Sequence, residues 1–465
     1  MKKNILFFFC DQLLWNASGY AGHPIVKTPN LDKLASRSVN LHQTYSVSPV
    51  CVPARISLFT GQYAHTHGQP ANDFPIRPGT KMFLETFQQA GYHTAAVGKL
   101  HFIPLENKKR FDWVQLHDSV GVSSDYTAWL ESVNPQLADW KKHADPLEGE
   151  DGYIYGTDIY NDNKKKLSFC FGTSQIDAEH FYTQWISDTA LKYLGEQRKD
   201  PFFLFVSFCG PHSPFFLPEP YRSMYTPADI EIPPNWKEQH EGNPSTCYWH
   251  HSLYGTRNMT EQQLREITAL YYGHITLIDE HIGRVLEHLE KLGIADDTII
   301  AFSADHGELL GAHGLFYKGV MYEESLRIPL LISGAGQKQG RVSEAMVSQV
   351  DIMPTLLDMA GIEIPEWSEG QSMKSLLEGD ESAGRDEIFA EINKAATDEY
   401  LVGCRTHDYL FSCYLKTKDH TDEGELYDLN KDPGQACNLY HSPESVDLVN
   451  KFKNRIMLWL AGCKK

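Results

Sequence analysis

Short apolar runs alternate along the chain with stretches in which apolar positions recur every three or four residues. The runs at residues 5–9, 94–97, 202–208, 298–303 and 329–332 are each followed by polar or Gly-rich turns. Runs of this length read as strands buried on both faces. Helix candidates lie between them at 31–36, 80–90, 178–197 and 260–292. In the last, Leu264, Ile267, Leu270 and Tyr271 fall at helical spacing, and Ile275, Ile278, Ile282, Val285 and Leu289 continue the stripe. The alternation predicts an α/β fold: a mostly parallel central sheet with helices on both faces. In such sheets functional groups gather beyond the carboxyl ends of the strands.

The pattern changes across residues 361–384, which are rich in Gly, Ser, Pro and acids. Beyond them, 387–392, 400–405, 409–415 and 425–429 read as short, closely spaced strands, and an amphipathic helix follows near 443–460. The expected organisation is an α/β catalytic domain over 1–370 and a small α+β subdomain over 385–465, with a short antiparallel sheet and a terminal helix. Two long polar, aromatic-rich stretches, 118–175 and 214–258, fit neither period and read as lid-like insertions. Within the second, Tyr248-Trp249-His250-His251 is a candidate wall of a sugar-binding cleft.

Charge narrows the partners. With 42 Lys and Arg against 61 Asp and Glu, the net charge is −19. Such a surface repels nucleic acid and anionic membranes, so an anionic substrate needs a local cationic pocket. Nine cysteines with no C-x-x-C pair argue against a disulfide framework and for a reducing, cytoplasmic setting. Lys2, Lys3 and the run at 5–9 imitate a signal peptide, but the run is short and no small-residue cleavage site follows, so it reads as the first strand. No run of about 18 apolar residues exists, and no membrane partner is expected.

The densest chemistry begins at Cys51-Val52-Pro53-Ala54-Arg55, continued by Ile56-Ser57-Leu58-Phe59-Thr60-Gly61. Pro53 suits the first turn of a helix and Gly61 can end it. Cys51 then sits at a helix N-terminus, where free N–H groups favour negative charge, with Arg55 about one turn further on. Asp11-Gln12 follows the first strand, and Asp305-His306-Gly307 follows the strand at 298–303. Two carboxylates at two strand ends can converge on one cation. An oxygen-rich set suits Ca²⁺ or Mg²⁺, and the His306 nitrogen admits Mn²⁺. Gly98-Lys99-Leu100-His101 and Gly210-Pro211-His212 also follow strands, and Lys318 lies in the turn after Asp305. An extended chain would point Lys99 and His101 to one side. Any one of these is an ordinary surface residue; four beside a metal site form a cationic pocket. Counting Asp11 and Asp305 against a divalent cation leaves the charges of Arg55, Lys99 and Lys318 for an anionic ester. Asn72 is a candidate substrate contact, and His65 and His67 read as structural.

The C-x-P-x-R core at 51–55, with Leu58, Thr60, Gly61 and the nearby Gly68, resembles the signature of the type I sulfatases of the alkaline phosphatase superfamily. Thr28-Pro29-Asn30-Leu31-Asp32 matches an early family block, and Glu425-Leu426-Tyr427-Asp428-Leu429 with Asp432-Pro433 a late one. Ala54 stands where many members have Ser. The resemblance implies oxidation of Cys51 to formylglycine by a maturation enzyme. It also implies one divalent cation, Ca²⁺ with Mn²⁺ or Mg²⁺ as substitutes, held by Asp11, Gln12, residue 51, Asp305 and His306. The Gln12 and His306 pair is similar to the branch containing choline sulfatases and phosphonate monoester hydrolases. In the implied reaction, a hydroxyl of the hydrated aldehyde attacks sulfur while His212, helped by Lys318, protonates the leaving oxygen. His101 then deprotonates the second hydroxyl and sulfate departs, with Arg55 and Lys99 orienting the nucleophile and binding sulfate oxygens. The expected function is a sulfatase acting on a small-molecule or oligosaccharide sulfate ester, carbohydrate sulfate being preferred to aryl or choline sulfate. The alternatives are a phosphonate monoester or phosphodiester hydrolase with the same centre, a hydrolase using an unmodified Cys51 thiolate, and a binding protein that kept the fold.

Overall fold

Strand β1 (Asn4–Asp11) is the first apolar run, and it is buried along its length after Asn4. Ile5, Phe7 and Phe9 face one side of the sheet and Leu6, Phe8 and Cys10 the other, each set inside its own core. Burial on both faces is why the run shows no polar alternation. The chain is described from a computed structural model over residues 2–72, 74–118, 124–136, 171–196, 200–238, 259–334, 340–394, 399–416 and 422–462.

The remaining strands of this half are β2 (Val39–Tyr45), β3 (His93–Gly98), β4 (Trp113–Leu116), β5 (Phe171–Thr173), β6 (Phe202–Pro211), β7 (Phe215–Leu217), β8 (Thr298–Ala304), β9 (Arg327–Ile328), β10 (Leu330–Ser333) and β11 (Arg341–Ser348). The main sheet runs β11-β2-β10-β8-β1-β6-β3-β4, with β9 paired to β2. Its centre, β8-β1-β6-β3-β4, is parallel, while β10 runs antiparallel to β2 and β8. Helices Tyr182–Gly195 and Glu261–Lys291 cover one face, and Cys51–Thr60, Phe83–Gln89 and Ile352–Met359 the other. The long helix starts where its pattern starts: Thr260 Oγ1 accepts from Gln263 N at 3.2 Å and Gln263 Oε1 accepts from Thr260 N at 2.9 Å, a reciprocal cap.

Register decides where chemistry can gather. Cys10 pairs with Ala304 and Phe208, Asp11 with Pro211, and Gly98 with Ser207. Four parallel strands therefore end along one line, and the irregularity after Cys10 takes up Cys209 and Gly210. The edge-side strands β2 and β11 went unread in the sequence because polar residues break their apolar pattern. His42 and Gln43 on β2 instead meet Glu344 on β11, at 3.3 and 3.2 Å.

Beyond residue 384 the expected antiparallel sheet is present: β12 (Glu387–Lys394), β13 (Glu399–Thr406), β14 (Tyr409–Lys416) and β15 (Gly424–Asp428), in that order. One face packs on Val449, Phe452 and Ile456 of the helix Val446–Gly462. The other packs on Leu309, Leu315, Val320, Met321, Tyr322 and Leu326. The segment 361–384 does not stand free: Met373, Leu376 and Leu377 join the core of the main sheet. In the two insertions, the described parts include a helix, Asp125–Val133, and the parallel pair β5-β7, which ties one insertion to the other. Tyr248-Trp249-His250-His251 and most of both insertions lie outside the described residues. No described helix is long and apolar enough to cross a membrane.

Gly98 shows how tight the strand ends are. Its φ is +93°, and a Cβ there would lie 1.9 Å from the Ser207 carbonyl oxygen. Gly22 has a similar φ of +86° with nothing within 4 Å of such a Cβ. Gly98→Ala is expected to lower unfolding free energy by roughly 3 kcal/mol or more, adding overpacking to the left-handed penalty. Gly22→Ala carries only the latter, about 1 kcal/mol. Equal losses in urea titrations of the two variants would show that the close approach carries no weight.

Candidate active site

The helix Cys51–Thr60 opens from an extended Val50 and closes at Gly61, whose φ is +62°, the left-handed stop expected from the sequence. Its first turn has spare N–H donors. The Val52 N–H donates to Asn72 Oδ1 at 3.0 Å, so the structure gives Asn72 a capping role at this helix.

Cys51 meets the two strand-end carboxylates. Its Sγ lies 3.2 Å from His306 Nε2 and 3.7 Å from Asp11 Oδ1. One ligand atom each from Asp11, Cys51, Asp305 and His306 falls within 4.8 Å of the others, and all four residues are buried. His306 Nδ1 donates to the Gly307 carbonyl at 2.9 Å, which leaves the Nε2 lone pair facing the cluster. Two acids, a sulfur and an oriented imidazole so close together fit a divalent cation.

Arg55 has no exposed surface. Its Nε donates to Asp305 Oδ2 at 2.9 Å, Nη2 to Asp11 Oδ2 at 3.3 Å, and Nη1 to the Lys99 carbonyl at 2.8 Å and Ser207 Oγ at 3.1 Å. Arg55 is thus engaged by both carboxylates rather than free to meet the ester. Lys99 also pairs with Asp11. Burial opposes the Lys99 charge, but Asp11 and Cys51 raise its pKa above the ordinary value.

Lys99 and His101 do reach one place, though not by an extended chain. His101 has a φ of +58°, and the N–H groups of Leu100 and His101 both donate to Asp118 Oδ1, at 2.8 and 2.5 Å. His101 helps to lower the Cys51 pKa. Burial pushes the Cys51 thiol up, yet Lys318, Lys99 and His306 outweigh it and hold the thiol well below its ordinary value. An anion at position 51 is what this surrounding favours.

Lys318 touches both sides of the site. Its Nζ donates to Gln12 Oε1 and lies 2.7 Å from His212 Nε2. His212 Nδ1 is 2.6 Å from the Ser213 carbonyl, which can only accept, so the proton sits on Nδ1 and Nε2 faces Lys318. Burial, then Lys318, lowers the His212 pKa. Gln12 is beside the four-residue cluster: its N–H donates to Asp305 Oδ1 at 2.9 Å, and its side-chain amide spans Lys318 and Glu308. His65 and His67 are structural as expected, bonded to Glu391 at 2.7 Å and to Ser57 at 2.9 Å.

Sequence reasoning missed Asp118, Ser207, Glu308 and His313. Glu308, two residues after His306, carried the clearest signal. His313 is fully buried in the loop before Lys318, stacked on Tyr322 with ring centroids 3.8 Å apart. Its Nδ1 lies 2.9 Å from Glu238 and its Nε2 3.6 Å from Glu324.

The comparisons agree with this geometry. The sulfatase family profile matches residues 3–362, and that of the N-sulphoglucosamine sulphohydrolase C-terminal region matches 311–460. An arylsulfatase of Clostridium perfringens (strain 13 / Type A) is 31% identical over 477 residues, covering 99% of this chain and 95% of the relative. A ulvan-active sulfatase of Formosa agariphila is 31% identical over 483 residues, covering 99% and 81%. Among solved structures, a phosphonate monoester hydrolase from Silicibacter pomeroyi matches with a TM-score of 0.84 at 25% identity, covering 98% of this chain and 94% of that one. The chain belongs to the sulfatase family: it is a type I sulfatase of the alkaline phosphatase superfamily. As such it is a sulfuric ester hydrolase, and the family implies a divalent metal and a formylglycine at the nucleophile position.

His313 makes stability depend on pH. Burial lowers its pKa, but Glu238 and Glu324 raise it from 6.5 to about 9. The folded state therefore favours the protonated ring. That contribution is complete below the unfolded pKa and is lost as pH rises through about 9. Wild-type protein should lose stability relative to His313→Gln between these limits, by on the order of 1–3 kcal/mol in denaturant titrations. A constant difference between the two proteins across that range would contradict the assignment.

Proposed function

We propose that this enzyme hydrolyses carbohydrate sulfate esters through formylglycine made from Cys51 by a maturation enzyme, with Ca²⁺ held by Asp11, Gln12, residue 51, Asp305 and His306. The observation that carries the reading is the buried meeting of Cys51 with Asp11, Asp305 and His306, with Lys99, His101, His212 and Lys318 at its side. The acid-rich donor set supports Ca²⁺, with Mn²⁺ or Mg²⁺ as substitutes because of the His306 nitrogen. Similarity to the ulvan-active sulfatase and to the N-sulphoglucosamine sulphohydrolase C-terminal profile supports a saccharide. The six described cysteines, all free, support a reducing, cytoplasmic setting.

A divalent cation held by these residues would supply positive charge favouring an ionised hydroxyl at position 51. Arg55 holds Asp11 and Asp305 in place. Lys99 and Lys318 orient the ester oxygens so that the residue 51 hydroxyl lies in line with the leaving oxygen. As the new S–O bond forms and the old one breaks, the pair Lys318 and His212 delivers a proton to the leaving oxygen. His101 takes the proton of the second hydroxyl on residue 51. The C–O bond to sulfate then breaks and the aldehyde returns. Phosphonate monoester hydrolysis is the second reading, favoured by the match to the Silicibacter pomeroyi enzyme.

Peptide mass spectrometry of protein made with a maturation enzyme should show residue 51 lighter by the difference between a thiol and an aldehyde. Full activity of unmodified protein would overturn the formylglycine reading in favour of a Cys51 thiolate. Paired sulfate and phosphonate esters of the same alcohols decide between the two readings. In the matured protein, His212→Ala should cost about 10² to 10⁴ in rate on alkyl and sugar sulfates and recover with acidic phenols as leaving groups. His101→Ala should release a burst of phenol and then turn over slowly, whatever the leaving group. Identical leaving-group dependence without a burst in either variant would refute the division of roles.

A further inference from the structure

Glu308 is fully buried and accepts from three directions. One of its oxygens, Oε1, takes the N–H groups of Leu310 at 2.8 Å and Tyr317 at 2.6 Å, closing the loop that carries Lys318. The other, Oε2, takes the side-chain N–H of Gln12. The opposite end of that amide, Gln12 Oε1, accepts from Lys318. A carboxylate held by three donors only accepts, and an ammonium only donates. Between them the Gln12 amide has one satisfied orientation. Flipped, it would set oxygen against carboxylate and nitrogen against ammonium, two repulsive contacts in place of two hydrogen bonds. The backbone on which the amide turns is also pinned: Gln12 has a φ of +64°, its N–H donates to Asp305 at 2.9 Å, and its carbonyl accepts from Tyr271 at 2.7 Å.

We infer that Glu308 is a positioning residue that fixes the oxygen end of the Gln12 amide toward Lys318 and the metal cluster. Through that oxygen it sets where Lys318 stands against His212, whose Nε2 is 2.7 Å away. The inference rests on the proposed roles of Gln12, Lys318 and His212. It differs from a packing role because what matters is which end of the contact donates.

The test reverses that polarity. Glu308→Gln keeps an acceptor for Leu310 and Tyr317 but turns an N–H toward Gln12. Gln12→Glu sets two carboxylates in contact. The double variant Q12E/E308Q restores one donor and one acceptor with their ends exchanged, and again presents an oxygen to Lys318. Calcium titration calorimetry on the metal-stripped full chain should show affinity lowered about 10- to 100-fold in Glu308→Gln and recovered in the double variant. In matured protein, each single variant should lose kcat on alkyl and sugar sulfates and much less on sulfates of acidic phenols. Wild-type calcium affinity and kcat in Glu308→Gln, or a double variant no better than the worse single one, would overturn the inference. Should Glu308→Gln fail to fold, Gln12→Met removes the amide while leaving Glu308 its two backbone donors. It should show the same steepened leaving-group dependence, and an unchanged dependence would count against the inference. If wild-type protein cleaves no sulfate ester, the proposed function fails, while the calcium series still decides the role of Glu308.

Discussion

A guanidinium with no exposed surface, held between two carboxylates, organises the rest of the molecule. A buried charge is tolerated only when it is paired and hydrogen-bonded. Arg55 meets that condition by reaching the ends of four strands: Asp11 after the body of β1, Asp305 after β8, the Lys99 carbonyl after β3, and Ser207 on β6. Removing one member of such a group costs ~3–5 kcal/mol, because the others are left as unpaired charge. Arg55 and Lys99 together balance Asp11 and Asp305. A divalent cation added to this neutral set brings its whole charge as surplus, next to Lys318. A chain of net charge −19 can attract an anionic ester there.

The strand register gives this arrangement its accuracy. Asp11 ends one strand of a parallel group whose residues pair in step, and Lys99, His212 and Asp305 directly follow three others, so their spacing is set largely by the ladder. Gly98 lets β3 come close enough for Lys99 N to donate to the Ser207 carbonyl at 2.9 Å. Helix Cys51–Thr60 supplies the remaining members, Cys51 and Arg55, from one turn packed on the sheet by Val52, Ile56 and Phe59.

Much of this was legible in the sequence because it is local. The apolar runs read as strands since both faces of the sheet are covered, and Asp11, Gln12, Lys99, His101, His212, Asp305 and His306 lie two to four positions past those runs. What escaped reading depends on pairing across distance. Gln12 and Glu308 are 296 positions apart, and nothing in either segment announces the contact. Ser207 looks like any strand serine until Arg55 is found beside it. Asp118 was grouped with an insertion, yet it shapes the turn of Leu100 and His101. The polar residues of β2 and β11 hid two strands because their partners lie on each other. Asn72 also accepts from Val52 N in the first turn of the helix at Cys51, a contact across 20 positions that neither segment announces.

The face of the C-terminal sheet that rests on Leu309, Leu315, Val320 and Met321 encloses the loop of Lys318 between two layers. Tyr322 donates to Glu425 at 2.7 Å and Arg405 to Glu323 at 2.6 Å, fastening both layers just past the lysine. The terminal sheet is therefore not an exchangeable accessory. A recombinant chain that kept every residue through β11 and imported a foreign ending would inherit the buried cluster of Asp11, Cys51, Asp305 and His306. It would lose the floor on which Lys318 stands.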